Sequence, residues 1–365
     1  MTVYLILLSL ITILAVQNDS KKSKKWQYGA FFLPVVCIVL IIGLRNPNMG
    51  VDLDRYLPSF DRLSSYTWGK VITMPKYLNY QKGYVIFNKL IGSIYSDRQF
   101  FIFCCALISI VLISVYIFKT SKLPLLSLIL YLGLPCFLTV FSALRQAIAI
   151  SICAIALLFV LNKKPIIFIA LVLIASTFHS SALLFLVSYP LFFYKPSPAI
   201  RGASVVLLLI SYVFREPIFI VLSKLVKDNA VIDNNNSITL FLVFTAIYVF
   251  MIALVDRTDK KNTGLLNIFW IACFCQSLAG LNNIAIRVGY YFMLPAIPLL
   301  INILCDNGKK KEGSSLVVIS NEKQRIFIIG VVYICFAVFG LYTLRHGSWA
   351  ESYPYYWFWE DYSIN

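Results

Sequence analysis

The stretch Gly43–Phe60 reads G-L-R-N-P-N-M-G-V-D-L-D-R-Y-L-P-S-F, and it decides how the rest of the chain is interpreted. It directly follows an apolar run and opens the longest polar segment of the sequence. Arg45, Asp52 and Asp54 therefore stand beside a hydrocarbon layer whose core disfavours such charges by about 2.5–3.5 kcal/mol each. Charges in this position indicate a functional surface at the edge of a membrane.

The composition is that of a membrane protein. Of 365 residues, 60% are hydrophobic and only 13% are charged, and many stretches without any charge are long enough to cross a bilayer. The net charge of +16 is explained by membrane orientation, so no nucleic-acid partner is expected. The nine cysteines fall inside apolar runs without metal-ligand spacing, so packing is expected of them and no metal site.

We expect an all-α polytopic fold of about 12 transmembrane helices (10–12), forming a single transmembrane domain over residues 1–365. The predicted spans are 2–16, 28–44, 99–118, 124–141, 146–162, 165–178, 180–194, 201–214, 238–255, 265–284, 288–305 and 326–343. The pair 165–178 and 180–194 is short for two spans. Two broken half-helices that meet at His179 are the alternative.

Basic residues set the expected orientation, because lysine and arginine collect on the cytoplasmic side. Lys21, Lys22, Lys24 and Lys25 predict a cytoplasmic segment after the first span, and the basic loop 306–325 agrees with it. The loop 45–98 and the tail 344–365 are then outside. On this topology one outer face carries five polar residues that the assignment did not use: Arg45, Asp52, Arg145, His179 and Arg287.

The outer loop 45–98 contains a predicted helix at 83–95. Its apolar residues repeat on one helical face, which suits a helix lying in the outer membrane interface. The residues of that face are Tyr84, Phe87, Leu90, Ile91 and Ile94.

The tail 344–365 is crowded with aromatic residues. An interfacial aromatic belt and stacking on sugar rings are both open for them. They are Tyr353, Tyr355, Tyr356, Trp357 and Trp359.

Two arginines are predicted at the outer starts of helices. Arg145 begins the span 146–162 and Arg287 the span 288–305. A helix N-terminus offers unpaired N–H groups and a positive dipole, and guanidinium binds phosphate oxygens as a planar fork, so the pair suits a pyrophosphate. Arg45 is a third candidate. Snorkelling to lipid headgroups is the alternative for each.

His179, between two short apolar spans, is the preferred candidate for a general base. A histidine at a helix N-terminus has its cationic form disfavoured by the dipole, which leaves a neutral imidazole able to accept a proton. Asp52 is the second candidate, and a structural, hydrogen-bonded histidine stays the alternative. A further set of residues is predicted to bind sugar: Asp54, Gln146, Asn88, Asn283, Tyr290 and Tyr291.

The order of these motifs resembles the Wzy-type polymerases of O-antigen, capsule and exopolysaccharide, in their EpsG-like branch. The matching elements, in chain order, are Gly43-Leu44-Arg45, Gly50-Val51-Asp52 with Tyr56, Gln81-Lys82-Gly83-Tyr84 with Asn88, Arg145-Gln146-Ala147-Ile148-Ala149, Ala175 to Ala182 around His179, and Arg287 with Tyr290 and Tyr291. Gln81 stands where the pattern has an acidic residue. The likeness covers most of the chain.

The resemblance implies an all-helical membrane glycosyltransferase of the GT-C type, metal-independent, inverting and without a cofactor. It implies transfer of a growing glycan from undecaprenyl pyrophosphate to the non-reducing end of a lipid-linked repeat unit. The site would be the periplasmic (outer) face of the bacterial inner membrane, as in lipopolysaccharide biosynthesis. Membrane lipid and a chain-length regulator are the further expected partners.

Two other functions stay open on the sequence. A flippase or transporter for the same lipid-linked oligosaccharide predicts charges near the midplane of several spans and recognisable repeats, which the sequence does not show. A membrane O-acyltransferase acting on glycan would use a lone histidine, but it needs access to an acyl donor from the cytoplasm.

Overall fold

A computed structural model of the chain describes residues 1–17, 24–75, 77–226, 238–307, 316–319, 321–347 and 350–362. Every regular element in these ranges is a helix, apart from two isolated β-bridges. The prediction of an all-α fold is confirmed. Five of the lysines on which the predicted orientation rests lie outside the described residues: Lys21, Lys22, Lys309, Lys310 and Lys311.

The helices belong to two compact units, Met1–Leu183 with Gly330–Asn365, and Leu184–Ile329. The expectation of one domain over 1–365 stays a prediction. The first unit contains α1 (Thr2–Gln17), α2 (Lys24–Gly43), α3 (Leu53–Ser65), α4 (Trp68–Thr73), α5 (Lys82–Ile94), α6 (Arg98–Thr120), α7 (Pro124–Gly133), α8 (Leu144–Leu161) and α9 (Pro165–Ser176). The second contains α10 (Ser188–Phe193), α11 (Pro198–Val213), α12 (Arg215–Val226), α13 (Thr239–Leu254), α14 (Lys260–Ser277), α15 (Asn283–Met293) and α16 (Ala296–Asn307). A last helix, α17, runs over Glu322–His346, and 3-10 helices cover Pro135–Val140 and Ser180–Val187.

Several of these helices suit a membrane by length and composition. Within the described residues, four are long and apolar enough to cross one: Lys25–Gly43, Arg98–Thr120, Leu144–Leu161 and Glu322–His346. Two bent pairs, Pro198–Val213 with Arg215–Lys224 and Asn283–Met293 with Ala296–Asn307, meet the same test together. Five shorter helices are also apolar: Thr2–Gln17, Pro124–Gly133, Pro165–Ser176, Ser180–Phe193 and Thr239–Leu254. The chain is thus a polytopic helical membrane protein.

Prolines explain two of the places where the helices depart from the predicted spans. The predicted span 124–141 ends as an α-helix at Gly133 and continues as the 3-10 helix that begins at Pro135. The predicted span 288–305 is two helices, α15 and α16, bent by 44° with Pro295 between them. Proline lacks an N–H donor and clashes with the preceding turn, so an α-helix breaks there.

The segment after α2 is a folded helical layer rather than an extended loop. Helices α3 and α5 pack on each other and on α6. Their shared core includes Phe60, which stacks on Phe101 with ring centres 4.5 Å apart. The other buried members include Leu53, Tyr56, Leu57, Tyr84, Phe87, Ile91, Leu144 and Ile148. This core fixes α3 and α5 against the beginning of α8.

Helix α5 confirms the helix predicted at 83–95, but its buried face is packed inside the protein. Tyr84, Phe87 and Ile91 are buried in the shared core, whereas Leu90 and Ile94 are exposed. Three of the five residues expected at the membrane interface therefore contact protein. The apolar period was correct for the helix, but a packing helix and an interfacial helix have the same period.

Two glycines allow the close contacts that build this layer. Gly50 has a φ of +122°, and a Cβ there would lie 2.2 Å from the carbonyl oxygen of Phe141. A Cβ on Gly83 would lie 2.0 Å from Oγ1 of Thr177, and the next amide, that of Tyr84, donates to the Thr177 carbonyl over 3.1 Å. Only glycine fits both positions, so one brings the segment before α3 onto the approach to α8 and the other brings α5 onto the end of α9.

The aromatic tail pairs with the segment that follows α2. The amide of Phe358 donates to the Leu44 carbonyl over 2.9 Å, and the amide of Asn46 donates to the Tyr356 carbonyl over 2.9 Å. The side-chain amide of Asn46 also donates to the carbonyl of Glu360 over 2.8 Å. These bonds hold the end of the tail beside the stretch that leads to Asp52.

Candidate functional site

Arg145 is the second residue of α8, as predicted, and its guanidinium lies among three tyrosine rings. Its Cζ is 4.5 Å from the ring centre of Tyr80, 5.6 Å from that of Tyr56 and 5.8 Å from that of Tyr84. The three rings also contact one another, at 5.3–5.9 Å between centres. The face of an aromatic ring attracts a cation, so the three tyrosine rings stabilise the positive charge of Arg145.

The hydrogen bonds of Arg145 use only part of its donor set. Nε donates to the Tyr56 hydroxyl over 3.3 Å, and Nη1 donates to the Asn79 carbonyl over 3.2 Å and to Oε1 of Gln81 over 3.1 Å. Within the described part of the chain, Nη2 donates to no protein acceptor and no carboxylate forms an ion pair with Arg145. A guanidinium has five N–H donors, so the two on Nη2 remain for an anion.

The tyrosine hydroxyls around Arg145 are neutral at pH 7. Burial raises the pKa of Tyr56, although the neighbouring Arg145 guanidinium opposes that rise. Burial likewise raises the pKa of Tyr80 and raises that of Tyr84 well above its ordinary value. The neutral rings do not cancel the positive charge that Arg145 brings.

Asp52 lies near the same tyrosines. Its carboxylate raises the pKa of both Tyr56 and Tyr80, the two groups on which Arg145 acts in the opposite direction. It stands at the N-cap position of α3 without a side-chain capping bond, and its amide donates to Oγ of Ser142 over 3.1 Å. Asp54, in the first turn of α3, is exposed. Of the two predicted carboxylates, the half-buried Asp52 is the one near the tyrosines.

His179 lies between α9 and the 3-10 helix Ser180–Val187, so the junction predicted for it is confirmed. Its Nδ1 is 2.6 Å from Oγ of Ser181. The neighbouring Ser180 connects to the arginine, because Nε2 of Gln81 donates to its Oγ over 3.5 Å while Oε1 of Gln81 accepts from Arg145. The Gln81 side chain therefore bridges Arg145 and the turn that carries His179.

Arg45 has a different environment from the one predicted. It is fully buried, and its guanidinium donates to the carbonyls of Ile42 at 2.6 Å, Phe141 at 2.8 Å and Met49 at 3.2 Å. Burial lowers its pKa to about 10, so it still carries its charge at neutral pH. These bonds join the end of α2 to the approach to α8. Because the Arg45 side chain is fully buried, none of its N–H groups is accessible to a bound pyrophosphate.

Two of the three amides predicted to bind sugar, Asn88 and Gln146, are buried. Asn88 is 0% exposed and donates from Nδ2 to the Tyr84 carbonyl over 2.7 Å, while Gln146 is 1% exposed. Both side chains therefore lie inside the protein, out of reach of a sugar bound at its surface.

The predicted residues of the second unit lie on α15. Asn282 caps this helix by accepting from the Ile284 amide over 2.7 Å, so α15 begins at Asn283 and not at Arg287. The prediction that Arg287 begins a helix is therefore wrong, and its side chain is exposed on the second turn. Asn283 is exposed as well, whereas Tyr290 and Tyr291 are buried.

Some of the site was not predicted. Tyr80 and the carbonyl of Asn79 had no assigned role. Tyr56 was quoted only as part of a motif, and Tyr84 only in a motif and on the apolar face of the helix predicted at 83–95. No local signal marks these tyrosines, because Tyr80 and Tyr84 lie more than 60 residues from Arg145 in the sequence.

The fold and this site define an all-helical membrane protein with an unneutralised arginine held over tyrosine rings. Comparison with family models identifies it further, because the model of the EpsG family matches residues 28–357. The chain belongs to the EpsG family, as the motif order predicted. Searches of curated proteins and of solved structures find no match.

Proposed function

We propose that this chain is a polysaccharide polymerase that transfers a growing glycan from a lipid pyrophosphate to a lipid-linked repeat unit. Membership of the EpsG family supports a polymerase-type membrane protein. The observation that carries the proposal is Arg145: in the described residues its Nη2 has no protein acceptor, and no carboxylate forms an ion pair with its guanidinium. A pyrophosphate has the charge and the acceptor oxygens that such a guanidinium binds.

In the proposed reaction Arg145 binds a pyrophosphate oxygen of undecaprenyl pyrophosphate. The acceptor hydroxyl loses its proton to a base and its oxygen attacks the anomeric carbon, while the bond from that carbon to the pyrophosphate oxygen breaks. The electron pair leaves with undecaprenyl pyrophosphate, and the configuration inverts. Arg145 stabilises the negative charge that grows on the leaving oxygen.

His179 and Asp52 are the two candidate bases. Asp52 lies near Tyr56 and Tyr80, the tyrosines whose pKa values Arg145 also affects. His179 is connected to Arg145 through hydrogen bonds of Gln81 and the neighbouring Ser180. The substitutions Asp52→Asn and His179→Gln each remove a candidate base and keep a polar side chain. The variant that abolishes polymer at every pH identifies the base; the other should reduce polymer without abolishing it.

The outer-face topology and the arginine at position 287 remain proposals from the sequence. Labelling of a single cysteine at position 179 from outside intact spheroplasts would place the site on the periplasmic side. Arg287→Ala measured with Arg145→Ala would show whether both arginines serve the same step.

The test of the function is a deletion strain complemented with variants of this chain, with its surface glycan resolved on a gel. Arg98 provides a matched control, because it lies in the first turn of α6 as Arg145 lies in the first turn of α8, but it is paired with Asp61 at 2.6 Å. Arg145→Ala should collapse the ladder to single repeats, by roughly 10²–10³-fold in polymerisation, while Arg98→Ala keeps it.

A wild-type chain that fails to restore the ladder would contradict the polymerase assignment. Loss of even the single repeat from the surface without the chain would favour the flippase alternative. A ladder of normal length that lacks acyl groups would favour the acyltransferase alternative.

A further inference from the structure

The aromatic tail carries a pair of stacked indole rings that the proposed reaction does not use. The indole rings of Trp357 and Trp359 are stacked, with centres 5.1 Å apart and planes within 3° of each other. Trp359 is 62% exposed, and Phe358 packs edge-on against it at 4.8 Å. We call Trp357, Phe358 and Trp359 the indole platform.

The platform is held rigidly although it is exposed. The Trp357 amide donates to Oε2 of Glu360 over 2.7 Å, and the Glu360 amide donates back to the Trp357 carbonyl over 3.0 Å, which closes a tight turn. Pairing of this turn with Leu44 and Asn46 anchors it to the first unit. A binding surface that is already ordered loses little conformational entropy when a ligand arrives.

The charges of the tail argue against a membrane anchor. Residues 350–362 contain Glu351, Glu360 and Asp361 and no lysine or arginine, in a chain whose net charge is +16. An anionic lipid surface attracts basic segments and repels this one. The contrast is Trp26, 39% exposed at the beginning of α2 beside Lys24 and Lys25, which has the composition of an interfacial anchor.

The same features suit a sugar ring. A pyranose has one face of C–H groups, which stacks on an indole, and a rim of hydroxyls, which donate to carboxylates. Glu360 and Asp361 adjoin Trp359 in sequence, are both exposed, and provide such acceptors. Their negative charge favours a neutral sugar over an acidic one.

We propose that the indole platform is a binding subsite for a neutral pyranose ring of the glycan, with Trp359 as its stacking residue. The identity of the glycan rests on the proposed function, and the subsite lies on the tail that pairs with the segment leading to Asp52. A subsite away from the reacting bond holds the chain between additions, so its loss should shorten the polymer and leave the transfer itself intact.

The test uses the full chain in lipid nanodiscs. The emission of Trp359 is obtained as the difference between the wild type and Trp359→Phe, and that of Trp26 as the difference between the wild type and Trp26→Phe. The probes are brominated phosphatidylcholine, which quenches indoles in the membrane, and oligosaccharide fragments of the surface polysaccharide of the parent strain.

The proposal predicts that the fragments change the emission of Trp359 and that brominated lipid quenches Trp26 but not Trp359. Trp359→Ala should weaken binding of the fragments roughly tenfold, as expected for one lost aromatic contact. In the complemented strain it should shorten the ladder, whereas Arg145→Ala removes it.

Quenching of Trp359 by brominated lipid without a response to the fragments would overturn the subsite in favour of an interfacial belt. An emission insensitive to both probes would overturn it as well. Binding is measured on purified protein, so a wild-type chain that binds the fragments through Trp359 but restores no ladder would contradict only the polymerase assignment.

Discussion

Nη1 of Arg145 donates a hydrogen bond to Oε1 of Gln81 over 3.1 Å, and the same amide donates from Nε2 to Oγ of Ser180 over 3.5 Å. The neutral side chain of Gln81 thus orients Arg145, at a position where the EpsG-like motif has an acidic residue. Position 81 therefore acts by supplying an acceptor to Arg145, and a carboxylate would supply it as well.

Gln81→Glu should keep the glycan ladder, because a carboxylate oxygen accepts from Nη1 in the same place. Gln81→Leu has a similar size but no acceptor, and it should reduce polymerisation roughly tenfold, since a hydrogen bond to a charged group contributes about 1.5–3 kcal/mol. Ladder length in the complemented strain is the measurement. Equal loss in both variants would show that position 81 does not act as an acceptor.

The Tyr80 ring, nearest to the Arg145 guanidinium at 4.5 Å, should matter more than its hydroxyl. Tyr80→Phe keeps the ring face and should retain polymer. Tyr80→Leu should lower polymerisation roughly threefold to tenfold, because a cation–π contact contributes about 0.5–2 kcal/mol. The rate of repeat addition in membranes separates the two variants, and a defect confined to Tyr80→Phe would contradict the ring's role.

Arg45 should be needed for stability and Arg145 for activity. Arg45→Ala leaves three backbone carbonyls without their donor, each costing about 1–3 kcal/mol when buried. The Tm in detergent should fall by roughly 5–10 °C. Arg145→Ala should leave the Tm within about 2 °C of the wild type, since its side chain is only partly buried. If Arg45→Ala loses polymer but keeps a normal Tm, Arg45 is again a candidate for binding the pyrophosphate.

Gly83 should tolerate no side chain, because a Cβ there also meets the Thr177 backbone oxygen at 2.9 Å. Gly83→Ala should displace the start of α5 from the end of α9, lower the Tm and reduce polymer. Gly69 on α4 is the matched control, since a Cβ there meets nothing within 4 Å. Gly69→Ala should behave as the wild type. Equal Tm values for the two variants would contradict the close contact.

The sequence was sufficient for the membrane class, for most helices and for the position of Arg145. Long uncharged runs leave few alternatives to helices, because every backbone polar group in lipid must be paired within the segment. The motif order was also sufficient for the family. The breaks at Pro135 and Pro295 were missed because hydropathy averages across a proline that interrupts the helix.

The contacts of the site were less predictable. Arg45 and Arg145 both stand beside apolar sequence. Arg45 is fully buried against backbone carbonyls, whereas Arg145 is only partly buried and its Nη2 has no acceptor in the described residues. Which of them holds a ligand depends on α3 and α5 packing over the start of α8. That packing comes from long-range contacts, such as the one between Gly83 and Thr177, which no local pattern contains.

A binding measurement on purified protein tests directly whether Arg145 binds the pyrophosphate of the lipid carrier. Native mass spectrometry would compare undecaprenyl pyrophosphate bound to the wild type, Arg145→Ala and Arg98→Ala. Arg145→Ala should bind at least roughly tenfold less than the wild type, while Arg98→Ala should bind as the wild type does. Equal binding to all three proteins would contradict this role of Arg145.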